Sequence, residues 1–200
     1  MDLEKLVKNL EKNDYKVSCF DTAAEASAYL NEQIDGKSVG FGGSMTLEEM
    51  RLFESLGKHN EVIWHWHPGS RPESEARELS TKTEIYLSSV NGMAETGEII
   101  NIDGNGNRVA GMLYGHKKVY LVVGENKVAP NYEKALWRAR NIAAPLNAKR
   151  LSCKTPCAVK GDRCYDCDSP GRICRGVSLL WKAPRSMEFE VVLVKEELGY

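Results

Sequence analysis

Five of the six cysteines fall in the run Cys153-x3-Cys157-x6-Cys164-x2-Cys167-x6-Cys174. Thiols this crowded hold soft metals or pair as disulfides. The surrounding stretch is rich in Gly, Pro, Asp and Arg and has few apolar side chains with which to build a core. Cys157, Cys164, Cys167 and Cys174 are the sharpest set, since four thiolates complete a tetrahedral zinc site or a four-iron cluster. Zinc sites usually pair two short chelates, and Cys164-x2-Cys167 is the only one here. The expectation therefore tilts to an iron–sulfur cluster, with zinc as the alternative and uncoordinated reduced thiols as a third reading. Cys153 is a spare or an alternative ligand. Lys154, Lys160, Arg163, Arg172 and Arg175 would offset the negative charge of such a centre.

Other constellations suit anion chemistry. Gly40-Phe41-Gly42-Gly43-Ser44-Met45-Thr46 reads as a turn between a strand and a helix, where glycines admit a ligand close to the backbone. Gly42, Gly43 and Ser44 are candidate substrate contacts, though a plain strand-to-helix turn explains the residues equally well. Asn91-Gly92-Met93-Ala94-Glu95-Thr96-Gly97 follows a strand end, the usual ligand side of an open α/β sheet. Asn91 is a candidate donor there and Glu95 a candidate catalytic base, against a tight turn carrying a solvated glutamate. Lys127, just past the apolar run Val119–Val123, is the second candidate catalytic residue, and a solvated lysine opening a turn is its plain alternative. Arg108 is a candidate second cation, although a surface arginine at a strand start is the favoured reading. His65 and His67 would share one face of a strand, and two edge histidines are favoured over a metal site.

Strands alternate with helices along the chain, so the expected fold class is α/β with a mostly parallel sheet covered by helices. Strands are expected near Tyr15–Phe20, Lys37–Phe41, Glu61–Trp66, Ile85–Val90, Glu98–Ile102, Arg108–Leu113, Val119–Val123 and Phe189–Val194. Helices are expected over the first fourteen residues, from Ala23 to Ile34, Thr46–Leu56, Ser70–Thr81 and Asn131–Ile142. The turn Asp103-Gly104-Asn105-Gly106 predicts an antiparallel hairpin joining the strands on either side. The organisation expected is an α/β domain over 1–148, a cysteine-rich metal-binding loop over 149–178, and a segment over 179–200 that returns a strand to the main domain.

The 27 basic and 28 acidic residues nearly cancel, so no global charge draws the chain to nucleic acid or an anionic membrane. No run approaches the ~20 apolar residues of a membrane helix, and the N-terminal residues carry no apolar signal core. A cytoplasmic, thiol-reducing location is the expectation, which favours metal over disulfide.

From Ser38 to Arg150 the chain resembles the lactate-utilisation (LUD) domain family. The residues that carry the likeness are Val39–Ser44, Asn91, Asn101–Ala110, Val122–Lys127 and Arg140–Ala148. The tail from Thr155 to Arg175 looks like one stand-alone branch of that family. The resemblance implies a fold related to ribose-5-phosphate isomerases, CoA transferases and 5-formyltetrahydrofolate cyclo-ligases. It also implies a part in oxidising lactate or a related 2-hydroxy acid to the 2-oxo acid, alongside iron–sulfur or ferredoxin-like partner proteins. Where the family often has Ala-Ile-Thr-Glu-Asp-Gly after the asparagine, this chain has Gly92–Gly97, which keeps the glutamate and glycine and lacks the aspartate. The other functional reading is a self-sufficient enzyme on a phosphorylated or CoA-linked substrate, with structural zinc.

Overall fold

Val119–Val123 and Phe189–Val194 are buried along their whole length. Continuous apolar strands of this kind belong inside a sheet covered on both faces. The computed structural model describes residues 2–200. Its strands are β1 (Lys16–Phe20), β2 (Ser38–Phe41), β3 (Glu61–Trp64), β4 (Ile85–Ser88), β5 (Gly92–Ala94), β6 (Ile99–Asp103), β7 (Lys118–Gly124), β8 (Val128–Ala129), β9 (Gly176–Leu180) and β10 (Glu188–Val194). Six of them form one parallel sheet in the order β1-β10-β7-β4-β2-β3, and four form a second, mixed sheet in the order β8-β5-β6-β9.

Side chains alternate across the parallel sheet, as strand geometry requires. Val119, Leu121 and Val123 join Leu6, Leu10 and Phe189 in one core, while Tyr120 and Val122 join Phe41, Trp64 and Val192 in the other. The helix Leu3–Lys12 covers the first face, and Ala23–Gln33 with two short helices, Met45–Glu49 and Leu52–Leu56, covers the second. No helix among the described residues is long and apolar enough to cross a membrane.

The mostly parallel α/β sheet is as expected, and three local expectations are corrected. Residues 107–113 form a helix, Asn107–Leu113, where a strand is expected. The Asp103–Gly106 turn is a helix entry and not a hairpin. The Asp103 carboxylate accepts from the backbone N–H groups of Gly104, Asn105, Arg108 and Val109, so it serves the donors that open a helix. The antiparallel partners of β6 are instead β5, across the turn after Ala94, and β9, a strand with no counterpart in the sequence reading. The helix expected to end at Ile142 runs on. Tyr132–Arg138 passes through a π turn, Ala139–Ala143, into Ala144–Arg150. Pro145 has no N–H to give the turn behind it, and the ladder loosens ahead of it without breaking.

Candidate active site

The carboxyl ends of β2, β4 and β7 open onto one cleft of about 330 Å³. Its floor is Lys127, which follows β7 in a single 3-10 turn, Glu125–Lys127. The ammonium end of Lys127 is buried at 3% exposure and donates to the hydroxyls of Thr46 (2.6 Å) and Ser89 (2.8 Å). No carboxylate pairs with it among the described residues. Burial, helped by the nearby Arg138 and Arg108, pushes its pKa down to about 7. A large fraction of Lys127 is therefore a neutral amine near pH 7, able to accept a proton or attack a carbonyl.

Three elements hold this lysine in place. Arg138 donates from Nε to the Asn126 carbonyl (2.7 Å) and from its guanidinium to the Asn91 carbonyl (2.8 Å), tying together the turns that carry Lys127 and Asn91. The Thr46 hydroxyl donates to the Leu198 carbonyl (3.1 Å). Gly199 then turns over the floor with φ +58°, and a Cβ there would lie 2.8 Å from Thr46 Oγ1 and 3.4 Å from Lys127 Nζ. Only glycine fits both the backbone conformation and the gap.

One wall is the helix Asn107–Leu113. Its Arg108 donates to the Asn101 side chain, to Asn91 Oδ1 (3.1 Å) and to the Ile102 carbonyl (2.6 Å). Asn91 Oδ1 also accepts from Ile102 N (2.8 Å), so the amide nitrogen of Asn91 is the part left for a ligand. The opposite wall is His65 and Trp66. Burial, with Arg77 close by, lowers the His65 pKa to about 4, so this imidazole is neutral at physiological pH. Its Nδ1 is buried without a hydrogen-bond partner, as are Nε of Arg77, Nδ2 of Asn107 and the Tyr200 hydroxyl. All four residues border this cleft. Buried polar atoms are nearly always satisfied, and the residues that carry these four line the cleft, while others with such an atom, among them Tyr15 and His116, lie away from it.

Of the residues proposed from sequence, Gly43, Ser44, Asn91, Arg108 and Lys127 border the cleft together. Gly42 does not, because it packs beneath Arg108, where a Cβ would lie 2.9 Å from Cγ. Ser44 also caps the helix Met45–Glu49 by accepting from Leu47 N (3.3 Å). Glu95 is not in the cleft. Its carboxylate accepts from Asp2 N (2.9 Å) and from Lys5 (3.3 Å), fastening the N-terminal helix, so its placement does not fit the part of catalytic base. The histidines do not meet. His67 bonds Glu48 (2.8 Å) and stacks on Phe53, while His59 bonds Asp35 and Asn31. The sequence reading passed over His65, Trp66, Arg77, Arg150 and Tyr200 as cleft residues. The His65–Trp66 pair at the end of β3 was the available signal.

Cys157, Cys164, Cys167 and Cys174 have the donor chemistry of a zinc or iron–sulfur site. Among the described residues no three His, Cys, Asp or Glu side chains gather closely enough here to hold a metal ion. All six cysteines are free. Cys157 meets the Thr155 hydroxyl at 3.3 Å, and Cys164 accepts from Asp166 N at 3.3 Å and from Arg140 at 3.8 Å. The cysteine-rich segment is nevertheless docked on the site, because Arg175 N donates to the Asp103 carbonyl (2.9 Å) and Arg172, Ile173 and Arg175 border the cleft.

A sequence model of the LUD domain matches residues 3–194. A DUF162-family protein from Deinococcus radiodurans has a similar structure at 13% identity, with a TM-score of 0.55 over 96% of this chain and 95% of that one. Ribose 5-phosphate isomerases from Plasmodium falciparum and Neisseria gonorrhoeae align over 54% of this chain, and 52% and 53% of theirs, at 16% and 14% identity and a TM-score of 0.34 each. No curated protein sequence matches the chain.

Proposed function

This chain belongs to the LUD-domain family, which is linked to lactate utilisation, and from that premise we propose that its cleft binds lactate or a related 2-hydroxy acid, or the corresponding 2-oxo acid, during their interconversion. The observation that carries the reading is Lys127, a buried amine with a pKa near 7 that is bonded only to hydroxyls. In this reading the 2-hydroxyl of the acid lies against Lys127, which takes its proton in the neutral form. The Asn91 amide and the positive charge of Arg108 face the carboxylate. His65, neutral and with an unpartnered Nδ1, is the second group able to donate to or accept from the substrate. The C2–H bond breaks as the C2=O double bond forms; its proton goes to solvent and its two electrons pass to a redox partner, of the iron–sulfur or ferredoxin-like class that the family likeness implies.

An iron–sulfur centre on Cys157, Cys164, Cys167 and Cys174 is the finer form of the proposal. It is supported by four soft donors in one segment and by the arginines around them, and it requires the thiols to draw together on loading. Anaerobic purification followed by iron, zinc and sulfide analysis tests it, with metal content expected to fall when any one of the four is changed to serine.

Calorimetric titration with lactate and pyruvate tests the cleft. Lys127→Met is expected to weaken binding about 10–100-fold, the cost of one hydrogen bond to a charged group at ~1.5–3 kcal/mol. Wild-type affinity is expected to rise as pH falls through about 7, because protonated Lys127 attracts the anion more strongly. Unchanged affinity in the variant, or a pH-independent wild type, would remove Lys127 from the site.

A further inference from the structure

A three-carbon acid at Lys127 leaves part of a cleft of about 330 Å³ unfilled, and the rest of its lining, taken here as the mouth, is rich in arginine. Arg77 from the helix Glu73–Ser80, Arg150 from the end of the helix Ala144–Arg150, and Arg172 and Arg175 from the cysteine-rich segment all border it. The carboxylates that border the same cleft are Glu73 and Asp103. Glu73 pairs with Arg77, and Asp103 is occupied by backbone N–H groups. Arg172 reaches Asp166 at only 3.4 Å, and Arg150 and Arg175 meet no carboxylate among the described residues.

Arg150 and Arg175 are held in position by neutral groups, and Arg172 chiefly by backbone carbonyls. Arg150 donates twice to Asn147 Oδ1 (2.9 and 3.1 Å) and lies 4.5 Å from the centre of the Trp66 ring. Arg172 donates to the carbonyls of Cys174 and Cys167, both at 2.9 Å. Arg175 donates to those of Arg172 (3.0 Å) and Pro170 (3.2 Å). Side chains already ordered lose little further entropy on binding, and each guanidinium keeps N–H groups unspent. Arg77 and Tyr200, whose hydroxyl lies beside Arg150, line the same cleft. Several guanidinium forks lining one cleft, two of them (Arg150 and Arg175) without a carboxylate partner among the described residues, fit the several oxygens and double charge of a phosphoryl group better than a single carboxylate. The cavity volume also falls in the ~300–1,000 Å³ range of sites for ligands well above three carbons.

We propose that the mouth is a phosphoryl subsite, and that the ligand is a phosphorylated 2-hydroxy or 2-oxo acid whose acid end reaches Lys127. This rests on the reading of Lys127 as the floor of the site and narrows its substrate class. The test is calorimetric titration of the full chain, near neutral pH and in phosphate-free buffer, with glycerate, 3-phosphoglycerate and glycerol 3-phosphate. It uses the wild type, Arg150→Ala, Arg175→Ala and Lys127→Met, each checked for native circular dichroism. 3-Phosphoglycerate is expected to bind at least about tenfold more tightly than glycerate, the worth of one charged hydrogen bond. Arg150→Ala and Arg175→Ala should each remove most of that advantage and leave glycerate affinity within about twofold. Lys127→Met should weaken both acids alike and keep their ratio. Equal affinities in the wild type, or a ratio that survives both arginine substitutions, would overturn the subsite while leaving the Lys127 reading intact. Glycerol 3-phosphate binding as tightly as 3-phosphoglycerate would overturn the single-ligand form. A phosphoryl advantage lost in the arginine variants, with the affinities of both acids unchanged in Lys127→Met, would instead overturn the Lys127 reading.

Discussion

The parallel sheet buries an ionisable side chain at each end, and the two are treated in opposite ways. At the amino end, Glu190 of β10 is fully buried, and its carboxylate accepts from Lys118 (2.7 Å), Ser18 (2.7 Å) and Tyr29 (2.7 Å), with Lys16 at 3.3 Å. Burial alone would raise its pKa, yet the hydrogen bonds from Lys118, Tyr29 and Ser18 hold it below the usual carboxylate value. At the carboxyl end, Lys127 is nearly as deeply buried and has hydroxyls for company in place of a counter-charge. A buried charge with partners on the two flanking strands, β1 and β7, and on the helix Ala23–Gln33 is part of the scaffold. A buried amine without a counter-ion, beside a cavity, is a group kept ready for a ligand. The same sheet thus separates an end that stabilises from an end that binds.

The comparison can be broken most decisively at Glu190. Glu190→Ala leaves Lys118 half-buried without its partner, and the expected loss is about 3–5 kcal/mol in urea unfolding. A loss below about 1 kcal/mol, the level of an exposed pair, would mean that the cluster is not the structural counterpart described.

Stability against pH sharpens the contrast. The pKa of Glu190 is depressed in the folded state, so its contribution is present above the unfolded carboxylate value and is lost as acid protonates the native group. The pKa of Lys127 is depressed too, to about 7, so the slope has the same sign, but the window lies at higher pH and the shift is a cost borne while the native lysine is charged. Between about 7 and the unfolded value of 10.5 the unfolded chain holds a proton that the native chain lacks, so stability rises with pH across that window. The slope is expected to approach roughly 1.4 kcal/mol per pH unit. Lys127→Met should flatten it, as measured by denaturant unfolding at several pH values, and an unchanged slope would deny the shift.

The smallest effect is expected at Glu95. Glu95→Gln removes an ion pair with the half-exposed Lys5, and the cost expected is about 0.2–1 kcal/mol in thermal unfolding, with no change in ligand affinity. A loss of binding in that variant would return Glu95 to the site.

The parallel sheet was legible because Val119–Val123 is apolar without alternation, and Phe189–Val194 nearly so with Glu190 the one exception, which few other environments accept. Lys127 stood out because it follows such a strand directly. The helix at Asn107–Leu113 was misread because Asp103-Gly104-Asn105-Gly106 has the composition of a hairpin turn, and only the direction of the Asp103 carboxylate shows that it opens a helix. Glu95 looked like a base because it lies past a strand end, and the docking of Asp2 and Lys5 upon it involves residues about ninety positions away.

What the sequence determined by itself is whatever depends on neighbours along the chain: the strand and helix periods, the glycine turns, the crowding of thiols and the likeness to the LUD domain. Tertiary structure decided which charges meet. Arg77, Arg108, Arg150, Arg172 and Arg175 are scattered over nearly a hundred residues, and no local pattern distinguishes them from solvated arginines. They share one cleft because a helix runs past Pro145 to Arg150, a second opens at Asp103, and the cysteine-rich segment docks on that same turn. Electrostatic fields and desolvation act through space, so the depressed pKa of Lys127 and the gathering of arginines in its cleft exist only once the chain has folded.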